Sequence, residues 1–295
     1  MTRCMDNLVL AIDGGGTRCR LALSDRARSW RVEVGSANVS TDFDASCAEL
    51  SQGLAALGQQ AGIDVADLAK VPAYLGLAGV TGPAVADRLA AVLPFTHVRI
   101  EDDRPSALRG ALGPRDGFVA HCGTGSFLAM QQGGKPRFAG GWGPVLGDQA
   151  SAQWVGKRAL SEVLECADGV IASSEMSEHL LRRFEGATGI VKAASRMSPT
   201  EFGALAPVVT QSAGKGDTVA MSILQAGADY LADRLKKMGW ILGVPICLTG
   251  GIGPHYAAFL PKDMQQVLTQ PSGDPLSGAI ALAHAFKEEV EHERC

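Results

Sequence analysis

Residues 8 to 17, Leu8-Val9-Leu10-Ala11-Ile12-Asp13-Gly14-Gly15-Gly16-Thr17, decide how the rest of the chain is read. An apolar, partly β-branched run predicts a buried strand, and it meets one carboxylate and three glycines before a second run resumes at Cys19 to Ser24. That pattern predicts a tight hairpin with bare backbone at its tip. Glycines allow positive φ and carry no Cβ, so an anion can come close to the amides; Thr17 adds a hydroxyl and Asp13 a carboxylate suited to magnesium. Two readings fit: a phosphate-binding hairpin, or a glycine-rich β-turn with an ordinary turn aspartate.

Working outward, Trp30 to Val34 predicts a third strand, so the chain opens as an antiparallel meander. Thr41 or Asp42 can cap a helix to about Ala61 that places Leu50, Leu54 and Leu57 on one face. Ala73 to Ala78 reads as a strand, Pro83 as the first residue of a helix to Leu93, Val98 to Glu101 as a strand, and Ser106 to Leu112 as a helix. A mixed α/β sheet is implied.

The pattern then restarts. Phe118-Val119-Ala120-His121-Cys122 is strand-like and runs into Gly123-Thr124-Gly125-Ser126, with Phe127 to Met130 strand-like beyond. A second strand-glycine-strand hairpin echoes the first, which implies two similar halves that hold a polyphosphate across a cleft. The boundary falls near residue 115, giving domains 1–115 and 116–277, with an alanine-rich helix at the end of the chain. Arg137 to Trp142 suggests a further strand. Helices follow over Ala150 to Cys166, Glu175 to Phe184 and Asp217 to Lys237; Val244 to Leu248 is a strand ending in Thr249-Gly250-Gly251.

Composition narrows the function classes. A net charge of −4 with scattered Lys and Arg gives no footprint for nucleic acid. No apolar run approaches the roughly 20 residues that span a bilayer, and Met1-Thr2-Arg3-Cys4-Met5-Asp6 has no apolar signal core, so a soluble cytoplasmic protein with no membrane partner is expected. Seven cysteines with no C-x-x-C pair (Cys4, Cys19, Cys47, Cys122, Cys166, Cys247, Cys295) indicate neither a disulfide framework nor a metal cluster.

Four stations in order, Asp13-Gly14-Gly15-Gly16-Thr17, Gly123-Thr124-Gly125-Ser126, Gly147-Asp148-Gln149-Ala150-Ser151 and Thr249-Gly250-Gly251, resemble the sugar kinase and actin superfamily. More closely, the chain resembles the branch of the BadF/BadG/BcrA/BcrD ATPases that holds N-acetylglucosamine kinase and bacterial glucosamine kinase. The resemblance implies two duplicated RNase H-like domains, each a mixed five-stranded sheet flanked by helices, with the ligand cleft between them and the C-terminal helix 278–295 crossing back to the first. It implies an ATP- and Mg2+-dependent kinase acting on the 6-hydroxyl of a small-molecule amino sugar, N-acetylglucosamine or glucosamine, and it admits a homodimer. Rival readings are an ATPase that activates another enzyme and a non-catalytic sugar or nucleotide sensor.

Carried over by position, the resemblance makes Asp13 the magnesium carboxylate and Gly14, Gly15, Gly16 and Thr17 the β,γ-phosphate hairpin. Gly123, Thr124 and Gly125 supply the opposing hairpin, with Ser126 near the transferred group, and Gly250 and Gly251 lie against adenosine. Asp103 is the general base. Asn38, Ala78 and Asp148 line the sugar. Plainer roles exist beside these: Asp103 and Asp148 can each cap a following helix, and Asn38 can be a turn residue. Trp142 and Trp154 suit a core or interface better than a sugar stack, and His121, in a strand, suits structure better than catalysis. Many relatives read Gly-Asp-Glu-Gly-Ser where this chain has Gly147-Asp148-Gln149-Ala150-Ser151, and Arg104 follows the acid where a small residue is common. Arg104 can pair with Asp102 or reach phosphate.

Overall fold

The computed structural model describes residues 7–293, so Met1 to Asp6, Cys4 among them, and Cys295 lie outside the described residues. The chain divides into two compact units. One ends at Pro114 and resumes at Ser272; the other runs Arg115–Pro271.

The first unit is built on five strands, β1 (Val9–Gly14), β2 (Cys19–Ser24), β3 (Ser29–Val34), β4 (Ala73–Leu77) and β5 (Val98–Glu101), in the order β3-β2-β1-β4-β5. The first three form the expected antiparallel meander, and β4 and β5 join β1 in parallel. Because side chains alternate across a sheet, β1 is apolar on both faces. Leu10 and Ile12 pack with Leu50, Leu54 and Leu57 of α1 (Phe43–Ala61), while Val9 and Ala11 pack with Tyr74, Ala279 and Ala283 on the opposite side. Asp42 caps α1, its Oδ1 accepting from the Ala45 amide at 3.0 Å. Three further helices follow before Pro114, α2 (Val65–Leu68), α3 (Pro83–Val92, with proline in its first turn) and α4 (Arg104–Leu112).

The C-terminal helix Pro275–Glu293 lies against α4 and β1. Small residues permit the approach: a Cβ on Gly278 would stand 1.9 Å from the Ser106 carbonyl oxygen, and one on Gly110 would stand 2.2 Å from that of Asp274. The return to this unit starts earlier than residue 278. Ser272 and Gly273 already donate to the carbonyls of Ala111 and Gly110, at 2.8 and 2.9 Å.

In the second unit β6 (Gly117–Cys122), β7 (Ser126–Gln132), β8 (Lys135–Gly140) and β9 (Ile246–Thr249) form a sheet in the order β8-β7-β6-β9, repeating the meander and the parallel partner. This corrects the expectation of five strands in both halves. The fifth position is reduced to a single parallel bridge between Ile246 and Leu268. Val267 and Thr269 bond to both backbone groups of Ile246, and Pro271, which has no amide to donate, stands two residues on.

Eight α-helices belong to the second unit, α5 (Gly143–Leu146), α6 (Ala152–Ala167), α7 (Glu175–Arg183), α8 (Ala187–Ala194), α9 (Pro199–Gly203), α10 (Ala206–Gly214), α11 (Thr218–Lys237) and α12 (Lys262–Gln265), and a 3-10 helix Gly253–Phe259 lies against β6, β9 and α11. Asp217 caps α11 through Oδ1 to Ala220 N at 3.0 Å and, with Oδ2, takes the Met176 amide of α7 at 2.8 Å. One carboxylate therefore joins two helices. No helix is long and apolar enough to cross a membrane among the described residues, and none of the described cysteines forms a disulfide.

Candidate active site

In the first hairpin the three glycines do different work from one another. Gly14 is the last residue of β1 and is buried; a Cβ there would stand 2.5 Å from Leu77 Cδ2 and 3.1 Å from Ala37 Cβ. Its carbonyl takes the Ala78 amide at 2.7 Å, so Gly14 serves packing and is not at the exposed tip. Gly16 and Thr17 are exposed, and the turn is closed by Gly15 N to Arg18 O at 2.9 Å. None of the three glycines adopts positive φ, contrary to the freedom expected of them.

Three loops are stitched at this edge. Ala37 donates to Gly15 O at 3.2 Å, and Val39 donates to Ala78 O at 3.1 Å. The Asn38 Oδ1 is spent locally on Ser40, on its amide at 3.1 Å and its hydroxyl at 2.8 Å, in the turn geometry the plainer reading foresaw; its Nδ2 donors carry no bond. Gly79 must be glycine. Its φ is +87°, and a Cβ would stand 2.5 Å from Ser40 N and 2.6 Å from Asn38 Oδ1.

Asp13 shares a face of β1 with Val9 and Ala11, the face that the C-terminal helix covers. Arg20, directly opposite it in the hairpin register, donates to Asp13 Oδ2 at 2.6 Å and to Asp274 Oδ2 at 2.9 Å. Among the described residues none donates to Oδ1 of Asp13. Burial raises the Asp13 carboxyl above its ordinary range, outweighing Arg20. Magnesium keeps most of its water and takes one or two carboxylates with phosphate oxygens rather than a protein cage. Asp13, with one uncommitted oxygen, fits that demand, and no group of three or more His, Cys, Asp or Glu among the described residues offers a cage.

Asp103 occupies the N-cap position of α4 yet makes no side-chain cap bond, so the capping role does not hold. Its carboxyl is recessed without being sealed from solvent, and no other residue hydrogen-bonds it among the described residues. Burial first, then the Asp13 and Asp102 charges, raise it to about 7. The Arg104 charge relieves it only in small part. That guanidinium pairs with Asp102, with Nε to Oδ1 at 2.8 Å and Nη2 to Oδ2 at 2.9 Å, the first of the two roles expected for Arg104.

In the second hairpin, Gly123 N donates to Gly125 O at 2.9 Å, and Thr124 forms the partly exposed tip. Ser126 is a brace. Its amide donates to Asp148 Oδ1 at 3.3 Å, its hydroxyl donates to Gln149 O at 2.6 Å, and its carbonyl takes the Gly141 amide at 3.0 Å. Asp148 caps no helix; Ser151 caps α6 instead, accepting from Trp154 N at 3.2 Å. Asp148 is 7% exposed and its Oδ2 takes Gln153 Nε2 at 2.8 Å. Burial raises this carboxyl despite those bonds.

The departure at Gln149-Ala150 has a backbone consequence, since Asp148 and Ala150 both sit at positive φ, +62° and +64°. Gly250 does too, at +80°, and a Cβ on it would stand 2.3 Å from Cys122 O, whereas Gly251 has open space around it. His121 is structural as expected: it stacks on Phe127 with centroids 5.0 Å apart, pairs with Thr249 Oγ1 at 3.1 Å, and burial lowers its pKa to about 4. Trp154 packs against the core, but Trp142 does not. It is 74% exposed, beside Val145 and Leu146 at 89% and 82%.

Sequence reasoning passed over Arg20, Asp274 and Gln153. Arg20 was within reach, because a closed hairpin sets residue 20 opposite residue 13. Asp274 and Gln153 reach their carboxylate and guanidinium partners only through packing.

A profile of the BadF/BadG/BcrA/BcrD ATPase family matches residues 10–283. The chain belongs to that family. Among its relatives, this BadF/BadG/BcrA/BcrD ATPase is 26% identical to the glucosamine kinase GspK of Vibrio cholerae over 94% of this chain and 96% of that protein. It is 25% identical to the N-acetylmuramic acid/N-acetylglucosamine kinase of Clostridium acetobutylicum over 80% of each chain. A Chromobacterium violaceum structure assigned as an N-acetylglucosamine kinase superposes with a TM-score of 0.83 at 28% identity, covering 94% of this chain and 99% of that one.

Proposed function

We propose that this family member is an ATP-dependent hexosamine kinase that phosphorylates the 6-hydroxyl of glucosamine or N-acetylglucosamine. The observation that carries the reading is Asp103, a recessed carboxyl with no partner side chain and a pKa near 7, in the same unit as the Asp13 hairpin. A base works best when its pKa lies near the working pH, and a carboxyl tied up in a cap or ion pair could not serve. The names of the Vibrio and Clostridium relatives support the same substrate class.

In this reading Asp103 takes the proton of the 6-hydroxyl as its oxygen bonds to the γ-phosphorus and the bond to the ADP oxygen breaks. Asp13 is the residue that would hold Mg2+, and the ion would supply neutralisation of phosphate charge. The exposed tip at Gly16 and Thr17 meets the β- and γ-phosphates, with Gly15, whose amide closes the turn onto Arg18, and Gly14, a packing residue, behind it. In the second unit Gly123, Thr124 and Gly125 meet phosphate from their own hairpin, and Gly250 and Gly251 line adenosine. In the first unit Asn38, through Nδ2, and Ala78 are the sugar-orienting residues; in the second unit Asp148 has that role, and Ser126 fixes the loop that carries it. Phosphoryl transfer asks for this kind of positioning more than for covalent chemistry.

The test is a coupled ADP-release assay over N-acetylglucosamine, glucosamine, N-acetylmannosamine, N-acetylmuramic acid and glucose. ADP release that depends on glucosamine or N-acetylglucosamine is expected. ADP release that no sugar stimulates overturns the reading.

A further inference from the structure

We propose that Arg20 is a positioning residue, which fixes the orientation of Asp13 and references it to the first turn of the C-terminal helix. The inference rests on the reading of Asp13 as the magnesium carboxylate.

The geometry is specific. Arg20 stands opposite Asp13 on β2, and its Nη2 takes only Oδ2, at 2.6 Å, leaving Oδ1 without a bond. Its other arm reaches Asp274 Oδ2 at 2.9 Å. Asp274 is itself held at its second oxygen, where Oδ1 accepts from the Ser277 amide at 2.8 Å and the Ser277 hydroxyl at 2.5 Å. Each end of the guanidinium is thus anchored to a rigid element, a strand on one side and a capped helix turn on the other. A carboxylate gripped at one oxygen by a fork with a fixed far end cannot rotate about its terminal torsion.

Stability alone does not account for the arrangement. The Asp13 and Arg20 side chains are only 13% and 18% exposed, yet Arg20 Nε is buried with no acceptor. A buried ion pair with an orphaned donor is a poor stabiliser, since an apolar pair of similar volume often does as well. What it does supply is orientation. The same helix packs on α4, immediately after Asp103, through Gly278 against Ser106 and Gly110. Asp13 and Asp103 are therefore held relative to one common helix.

The test compares the wild type with D13N, R20A, R20K, D274N and R20A/D274N. Mn2+ affinity is read by electron paramagnetic resonance in the presence of ADP, well below each variant's melting temperature. D274N leaves Asp13 and Arg20 chemically intact, and Asn can still cap the helix. A roughly tenfold loss of Mn2+ affinity in both R20A and D274N is expected. The double variant should be no weaker than R20A, because one path is cut either way. R20K should recover little, since one ammonium cannot grip two carboxylates as a fork does. Wild-type Mn2+ affinity in R20A or D274N, with D13N impaired, overturns the role of Arg20 while leaving the Asp13 reading intact. Wild-type affinity in D13N itself overturns the Asp13 reading, and the proposal with it.

Discussion

A Cβ on Gly125 would stand 2.9 Å from Oδ2 of Asp148, so the second hairpin rests directly on that carboxylate. No side chain fits there without displacing Asp148 from the Ser126 amide or from Gln153. G125A is therefore expected to cost about 1–3 kcal/mol in stability, the usual range for overpacking, and to lower sugar-dependent turnover at least tenfold. Urea denaturation and the ADP-release assay read the two effects separately.

Asp103 predicts a pH signature. With a folded pKa of about 7, kcat/KM for the sugar should rise roughly tenfold per pH unit below 7 and level off above it. D103N should lose about 100-fold or more in kcat, a typical size for a removed general base, while retaining ATP binding. A variant with near-normal turnover would remove Asp103 from the mechanism.

Stability should move in the opposite sense. The unfolded carboxyl titrates near 3.9, so the folded state holds the proton more tightly. The stabilisation is full below that value and is lost as pH rises through about 7. D103N, which does not titrate, should gain melting temperature relative to wild type at pH 8 compared with pH 4. Calorimetry at the two pH values checks the sign.

Gly250 and Gly251 separate a backbone requirement from a ligand requirement. Gly250 combines φ +80° with a Cβ position 2.3 Å from Cys122 O, so G250A should destabilise by more than about 2 kcal/mol. Gly251 faces open space, so G251A should fold normally and show its effect in nucleotide affinity alone. Thermal melting with calorimetric titration of ADP distinguishes the two; wild-type ADP affinity in G251A would place Gly251 away from the nucleotide.

Ala150 carries a methyl at φ +64° in a fully buried site. In A150G, relief of left-handed strain is offset by a lost buried methyl worth about 0.8 kcal/mol and by a freer unfolded chain. The net change should be within about 0.5 kcal/mol. A150V, β-branched at positive φ, should lose more than about 2 kcal/mol, because that conformation is an outlier for such residues. Urea denaturation midpoints test both.

Much of the architecture follows from local pattern. The buried run of β1, the Asp42 cap, Pro83 in the first turn of α3 and the echo at Gly123 to Ser126 are each encoded within a few residues, where period and cap chemistry suffice. Even α9, absent from the expected helices, has a local sign in Ser198-Pro199-Thr200-Glu201, whose ends bond reciprocally as a capping box. The site was less legible. Glycines 14 to 16 suggested positive φ, but the left-handed residues turned out to be Asp148 and Ala150. Their backbone is held by distant groups, the Ser126 hydroxyl on Gln149 O and the Tyr256 hydroxyl on Ala150 O, at 2.6 and 2.9 Å.

The sequence by itself determined the two glycine hairpins, the mixed sheets they belong to and the family, because strand periodicity and turn chemistry act over short spans. Only the tertiary structure decided which acids stay unpartnered. Asp102 and Asp103 are neighbours in the chain, yet Arg104 neutralises one and burial beside Asp13 raises the other. Asp13 meets Arg20 across a hairpin, but Asp274 reaches that guanidinium from 254 residues away. Charge and desolvation depend on what the folded chain brings within a few ångströms, and that is not written in any one stretch of residues.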